Sequence, residues 1–211
     1  MHPNTLHRHT LIAISALWLL SGCGSAPEIQ RYLLGASNLQ PQTAGAENTL
    51  KVVVGQVEVA PFLAGSGLVQ FGVDNTVHEA HYHRWAEPLP SQLQRQLRTE
   101  LQQHLPHLSW LPVQGSAALQ SLDYRIDVTI DSFHLDADSQ AQVSGQWQLR
   151  NAQQGYVAHG NFAQRQALDN DGYAAMVDAL QVAWQASLVE IAQRMDELLP
   201  PKRSPKRASP N

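Results

Sequence analysis

A single cysteine, Cys23, occurs in 211 residues, where a short apolar run gives way to small and polar residues. Alone it can neither close a disulfide within the chain nor join other thiolates around zinc or an iron–sulfur cluster. Ahead of it stand a weakly basic opening with Arg8 and the apolar run from Leu11 to Leu20. That run is far short of the roughly 20 residues a bilayer-spanning helix needs, and it fits the apolar core of a secretory signal, about 7–15 residues. The tetrad Leu20-Ser21-Gly22-Cys23 resembles a bacterial lipobox. Its chemistry is covalent lipidation: a diacylglycerol on the sulfur, cleavage before the cysteine, and an acyl group on the new amino terminus. Two or more acyl chains anchor a protein stably where one binds only marginally. Residues 1–22 are thus expected to be a lipoprotein-type signal peptide and 23–31 a lipidated tether, with Cys23 as the anchor. Gly24 stands where an aspartate would resemble an inner-membrane retention signal, which favours the outer membrane.

Two other groups of residues invite a chemical reading. His78, His81 and His83 fall within one strand-like stretch, but the two-residue side-chain period puts His78 on the face opposite His81 and His83, and a carboxylate such as Glu79 is available only on the His81 face. A metal needs three or four convergent ligands, so no metal is expected here. Asp123, Asp127, Asp131, Asp136 and Asp138 form an acidic series that lacks the central glycine and final glutamate of an EF-hand loop; a solvated strand face explains it. Neither a Gly-x-Ser-x-Gly elbow nor a phosphate-cradling loop is present, and a cysteine acylated at its sulfur is no nucleophile. No catalytic residue is assigned and no enzyme is expected. Arg84 and Trp85, in RWAEPL, concentrate a cation and an aromatic between a strand and a helix. Core packing explains the tryptophan; a partner-binding patch is the sharper alternative, because Trp and Arg are enriched in binding hot spots.

The elements that must position these residues can be read from periodicity. A β-branched strand over LKVVVGQVEVAPFL ends at Pro61, and Leu68 to Val73 pairs as a hairpin with the segment resuming at Thr76 across Asp74-Asn75. Leu89, Leu93, Leu97, Leu101 and Leu105 make one stripe on a helix with Pro90 in its first turn and Pro106 at its end. Three further strands form a meander: Leu122 to Asp131 with alternating apolar residues, then AQVSGQWQLR with Val143, Trp147 and Leu149 inward, then GYVAHGNFAQRQ. Gly145 and Gly160 mark bends or close backbone approach. A last long helix carries Tyr173, Val177, Leu180, Trp184, Leu188, Ile191, Met195 and Leu198 as its stripe, with Asp171 as a cap. The expected fold is one α+β domain over 32–199, a mostly antiparallel sheet with two amphipathic helices packed on one face. A basic, proline-rich tail over 200–211, with Lys202, Arg203, Lys206 and Arg207, is expected to be disordered. The net charge of −4 gives no general basic field for nucleic acid.

Taken as an ordered set, RYLL near the anchor, HRWAEPL leading into the leucine-striped helix, YRIDVTIDSF, GQWQL and YAAMVDALQVAWQASLVEIA resemble the ABC-type transport auxiliary lipoprotein family over about Tyr32 to Met195. The resemblance implies a non-enzymatic lipoprotein on the periplasmic face of the outer membrane. Its implied partner is an MCE-domain protein that forms a lipid conduit from an inner-membrane permease system. It carries over one functional position, the lipidated Cys23, and implies no cofactor beyond the covalent diacylglycerol and N-acyl group. The expected role is docking of the conduit at the outer membrane in support of envelope integrity, with homo-oligomerisation through exposed sheet edges as a route to closing a ring around the exit. The alternatives are a periplasmic lipid-binding carrier or chaperone, which requires a cavity between sheet and helices, and an envelope hydrolase, for which no residue stands out.

Overall fold

The computed structural model describes residues 27–35, 49–74, 76–112 and 121–201. Cys23, the signal segment, Asn75 of the hairpin turn and the tail from Lys202 onward lie outside the described residues. Within them are eight strands and two α-helices. The strands are β1 (Gln30–Tyr32), β2 (Lys51–Val59), β3 (Gly67–Phe71), β4 (Val77–Trp85), β5 (Ser109–Leu111), β6 (Tyr124–Leu135), β7 (Gln140–Asn151) and β8 (Gly155–Ala167); the helices are α1 (Leu89–His104) and α2 (Tyr173–Leu198).

All eight strands join one sheet organised around β6. Along one side of β6 runs β7, then β8, both antiparallel. Along the other side, β2 lies parallel to its first half and β3 meets its end at Gln70↔Leu135. The remaining strands extend the sheet outward: β5 beside β2, β4 antiparallel to β3, and β1 parallel to β4. The longest ladders are the antiparallel ones expected from the meander, and short parallel joins make the whole sheet mixed. β5 escapes sequence reading because three residues carry no periodicity.

β6 also runs four residues past the alternation read from its sequence. A register shift between Ile130 and Ser132 inserts Asp131 as an extra, exposed residue. Apolar positions therefore step from Ile130 to Phe133 and Leu135, all three in the core. Opposite the bulge is Gly145, where a Cβ would come within 2.1 Å of the Thr129 carbonyl and 2.8 Å of the Phe162 ring. At Gly160 the Trp147 indole occupies the space a side chain would take.

Both helices cover the same face. The five leucines of the α1 stripe, Leu89 to Leu105, are all buried, each stabilising by roughly 1.5–3 kcal/mol relative to exposure. α2 lies along β6, β7 and β8 and also touches α1. Two details differ from the expectation. The N-cap is Gly172, whose φ of 104° suits glycine, and no side chain caps the helix, so Asp171 has no capping role. Leu198 is 41% exposed; the chain turns at Leu199, whose N–H donates to the Met195 carbonyl, and Leu199 is buried in its place.

Candidate functional site

The described chain begins four residues after Cys23, and its first strand is stitched into the body at once. β1 pairs with the end of β4, Gln30↔His83, Arg31↔Arg84 and Tyr32↔Trp85, and the Ala86 N–H donates to the Tyr32 carbonyl at 2.8 Å. The HRW stretch thus pairs with the first strand of the described chain. Tyr32 hydroxyl and His83 Nδ1 are 3.0 Å apart, and the His83 ring stacks on Tyr173, at the start of α2, with centroids 3.8 Å apart. Burial, and secondarily the neighbouring Tyr173, push the Tyr32 hydroxyl pKa up.

Past β1, three glutamines clamp the backbone. The Leu34 N–H donates to Gln92 Oε1 at 2.9 Å and the Gly35 N–H to Gln181 Oε1 at 2.6 Å, while Gln96 Nε2 donates to the Gly35 carbonyl at 2.8 Å. Gln92 Nε2 donates in turn to the Glu87 carbonyl. Gln92 and Gln96 are buried among the α1 leucines, and Gln96 Oε1 has no partner among the described residues. Sequence reading misses this clamp, since amides next to leucines read as the wet side of a helix. The signal present is their own spacing of four, one residue before Leu93 and Leu97.

On the outward side of the same segment the chain shows another character. Ile29 and Leu33, flanking β1, are 41% and 52% exposed; Tyr82 on β4 is 41% exposed. Arg31 lies beside Arg84 in the register, so the two side chains share a face. Arg84 Nε donates to the His81 carbonyl at 2.8 Å, and among the described residues neither arginine forms an ion pair.

Of the residues that invited a chemical reading, Trp85 is 5% exposed, its ring 6.0 Å from Phe133; as a core residue it cannot present its indole to a partner, and the patch read at Arg84 and Trp85 reduces to Arg84. His78 and His81 are exposed, and Glu79 accepts a hydrogen bond from the Gly67 N–H at 2.7 Å. Among the described residues no three His, Cys, Asp or Glu side chains converge as a metal site. Asp123 accepts from the Lys51 N–H, and Asp127 pairs with Arg125 at 2.8 Å. Asp136 caps the β6–β7 turn, accepting from the Asp138 and Gln140 N–H groups, Gln142 Nε2 and Arg165 Nη2. Burial alone would raise its pKa; the hydrogen bonds from Gln142, Gln140 and Asp138 and the charge of Arg165 outweigh this and hold it below the usual carboxylate value. His134 is buried against Phe71, rings stacked at 3.9 Å, and burial pushes its pKa down.

An open cleft of about 620 Å³ crosses β2, β6, β7 and β8, lined by Gln56, Glu58, Arg125, Gln146, Arg150 and His159 among others. Its walls are polar, whereas the space between sheet and helices is occupied by Trp184, Phe133, Leu97 and Ile130, all fully buried. No described helix is long and apolar enough to cross a membrane.

Comparison with known proteins adds to this geometry. The family model described as "ABC-type transport auxiliary lipoprotein component" matches residues 32–192. The intermembrane transport lipoproteins PqiC of Escherichia coli (strain K12) and of Shigella flexneri are each 33% identical to the chain over 190 residues, covering 89% of it and 97% of the relative. A crystal structure of an uncharacterised protein superposes with a TM-score of 0.65 at 29% identity, covering 80% of this chain and 99% of that one. A protein from Xanthomonas campestris superposes at 0.60 with 16% identity and the same coverage, a likeness of fold.

Proposed function

This chain belongs to the ABC-type transport auxiliary lipoprotein family, and from that premise we propose how it works. Acyl chains on Cys23 hold the body at the periplasmic face of the outer membrane. There it docks the distal end of a lipid conduit formed by an MCE-domain partner and fed by an inner-membrane permease system. The family is one of transport auxiliaries and not a class of enzymes, and we assign this chain no catalytic step.

The observation that carries the reading is the stitching of the tether. A flexible leash would let the body wander; β1 and the glutamine clamp instead join it to the anchor with only a few intervening residues. Confinement to the membrane surface raises its effective concentration at a conduit tip reaching that surface. The unpaired side of β8, thirteen residues with Arg165 as the sole charge and no proline or lysine, offers an edge for pairing with a second copy in a ring. The carrier reading needs an internal cavity, and the large side chains buried between sheet and helices fill that space.

Crosslinking and affinity purification from membranes test the proposal. The native chain is expected to recover an MCE-domain protein and Cys23→Ser to lose it; recovery undiminished by Cys23→Ser overturns the role of anchoring. Phospholipid co-purifying with the delipidated, partner-free protein at near-equal stoichiometry favours the carrier instead.

A further inference from the structure

We propose that the outward side of the tether edge, Ile29, Arg31 and Leu33 with Tyr82 and Arg84 of β4, is a membrane-contact surface that seats the body on anionic lipid headgroups. The proposal rests on the lipidation of Cys23.

Four observations converge on it. The chain length limits the geometry: five residues, 24–28, separate Cys23 from Ile29, a span of at most about 20 Å when fully extended. The adjoining strand β1 is fixed to the body by its ladder and by the glutamine clamp, so the patch stays within that reach of the attachment point. Its composition is that of an interfacial surface, with exposed aliphatic residues, a tyrosine with an apolar ring and polar tip, and long cationic side chains. Its charge is also uncompensated. Arg31 and Arg84 lie side by side, a repulsive arrangement, with no carboxylate paired to either among the described residues. Of the acids near them in sequence, Glu28 forms no ion pair among the described residues, Glu87 pairs with Arg95 at 2.9 Å, and Glu79 is engaged by the Gly67 N–H. A lipid surface rich in phosphate supplies the missing negative charge and accepts the apolar groups at the same place. A protein partner would have to meet the patch within the reach of that tether, at most about 20 Å from the bilayer that anchors it.

The test uses the full-length acylated protein reconstituted in vesicles of phosphatidylethanolamine and phosphatidylglycerol. A fluorophore is attached at Leu33→Cys or, as a control on the far edge of the sheet, at the exposed Val157→Cys, and quenched by lipids carrying a headgroup-proximal quencher. Strong quenching is expected at position 33 and little at 157. Arg31→Glu with Arg84→Glu should reduce quenching at 33 several-fold, with about a fivefold loss in surface affinity per arginine, while Arg31→Lys with Arg84→Lys retains it. Circular dichroism melts control for folding, which substitution of these outward side chains should leave unchanged. Equal quenching at 33 and 157, or quenching at 33 insensitive to charge reversal, overturns the proposal. Intact-protein mass spectrometry separates the two readings: an unmodified Cys23 defeats the anchor, whereas an acylated protein with an unquenched position 33 defeats the contact surface alone.

Discussion

Two pairs of arginines face each other across neighbouring strands of one sheet, in opposite surroundings. Arg125 and Arg150 lie opposite each other in the long β6–β7 ladder. There Asp127 holds Arg125 at 2.8 Å and the Gln148 amide oxygen accepts from Arg150 Nε at 2.7 Å, so the repulsion is offset within the protein. Arg31 and Arg84 lie side by side where β1, three residues long, joins β4, and no acid answers them among the described residues. A like-charge pair across strands destabilises by a few tenths to about 1 kcal/mol. The ladder pair absorbs that cost beside polar neighbours; the tether pair leaves it standing next to exposed Ile29 and Leu33. The first pattern belongs to a surface completed by water, the second to one completed from outside the chain.

The sharpest way to break this comparison is at the two adjacent residues Arg84 and Trp85, one outward and one in the core. Trp85→Ala is expected to destabilise the domain by about 3–5 kcal/mol, by removing a large buried ring from its place against Phe133. Arg84→Ala should change stability by no more than about 0.5 kcal/mol. Chemical denaturation of both variants checks this, and similar midpoints would mean that the indole is not a core element. The next effect is local. Gln92→Ala removes the acceptor of the Leu34 N–H and leaves a buried donor unsatisfied, a penalty of about 1–3 kcal/mol. Hydrogen exchange should then quicken at residues 30–35 and remain slow in β6 and β7; uniform acceleration would show that the tether is not a separable unit.

The same contrast explains what can be read from sequence. The β6–β8 meander and both helices are legible because period-two and period-four patterns persist over ten residues or more. Legibility stops at Asp131 because one bulge shifts the phase, and it does not reach β5 or the tether's pairing because three-residue strands have no period. Burial of Gln92 and Gln96 is hidden by their chemistry: an amide is buried only when a specific backbone group needs it, and that group, Leu34 or Gly35, is some 60 residues away. The stretch His83-Arg84-Trp85 stands out as unusual from its residue types, although its first partner is the chain's own tether.

The β6–β7 turn gives a prediction of pH dependence at the internally compensated end. Asp136 has its folded-state pKa lowered below 3.8, so its contribution is fully present above that value and is lost as pH falls through the folded pKa. Acid titration of stability should steepen below about pH 4 in the native chain. Asp136→Asn, which loses the charged acceptor for Gln142 and Arg165, should be less stable at neutral pH by about 1–2 kcal/mol and flatter in acid. An unchanged acid limb in that variant would mean that other carboxylates set the acid sensitivity.

The smallest effect discriminates most directly between the two arginine pairs. Arg150→Gln removes a cation that faces Arg125 and whose hydrogen bonds among the described residues go to the neutral Gln148 amide, so relief of repulsion and loss of those bonds nearly cancel, leaving stability within about 0.5 kcal/mol of the parent. Arg31→Gln should be as mild for stability, since that side chain is exposed and forms no ion pair among the described residues. The two should part company on anionic vesicles. The Arg31 variant is expected to lose about fivefold in surface affinity and to depend less on salt, whereas the Arg150 variant keeps both, because the cleft it lines lies on β2 and β6–β8 and not at the first strand. Equal losses from the two substitutions would mean that the sheet presents one diffuse positive field, and the distinction between a water-completed pair and a membrane-completed pair would fail.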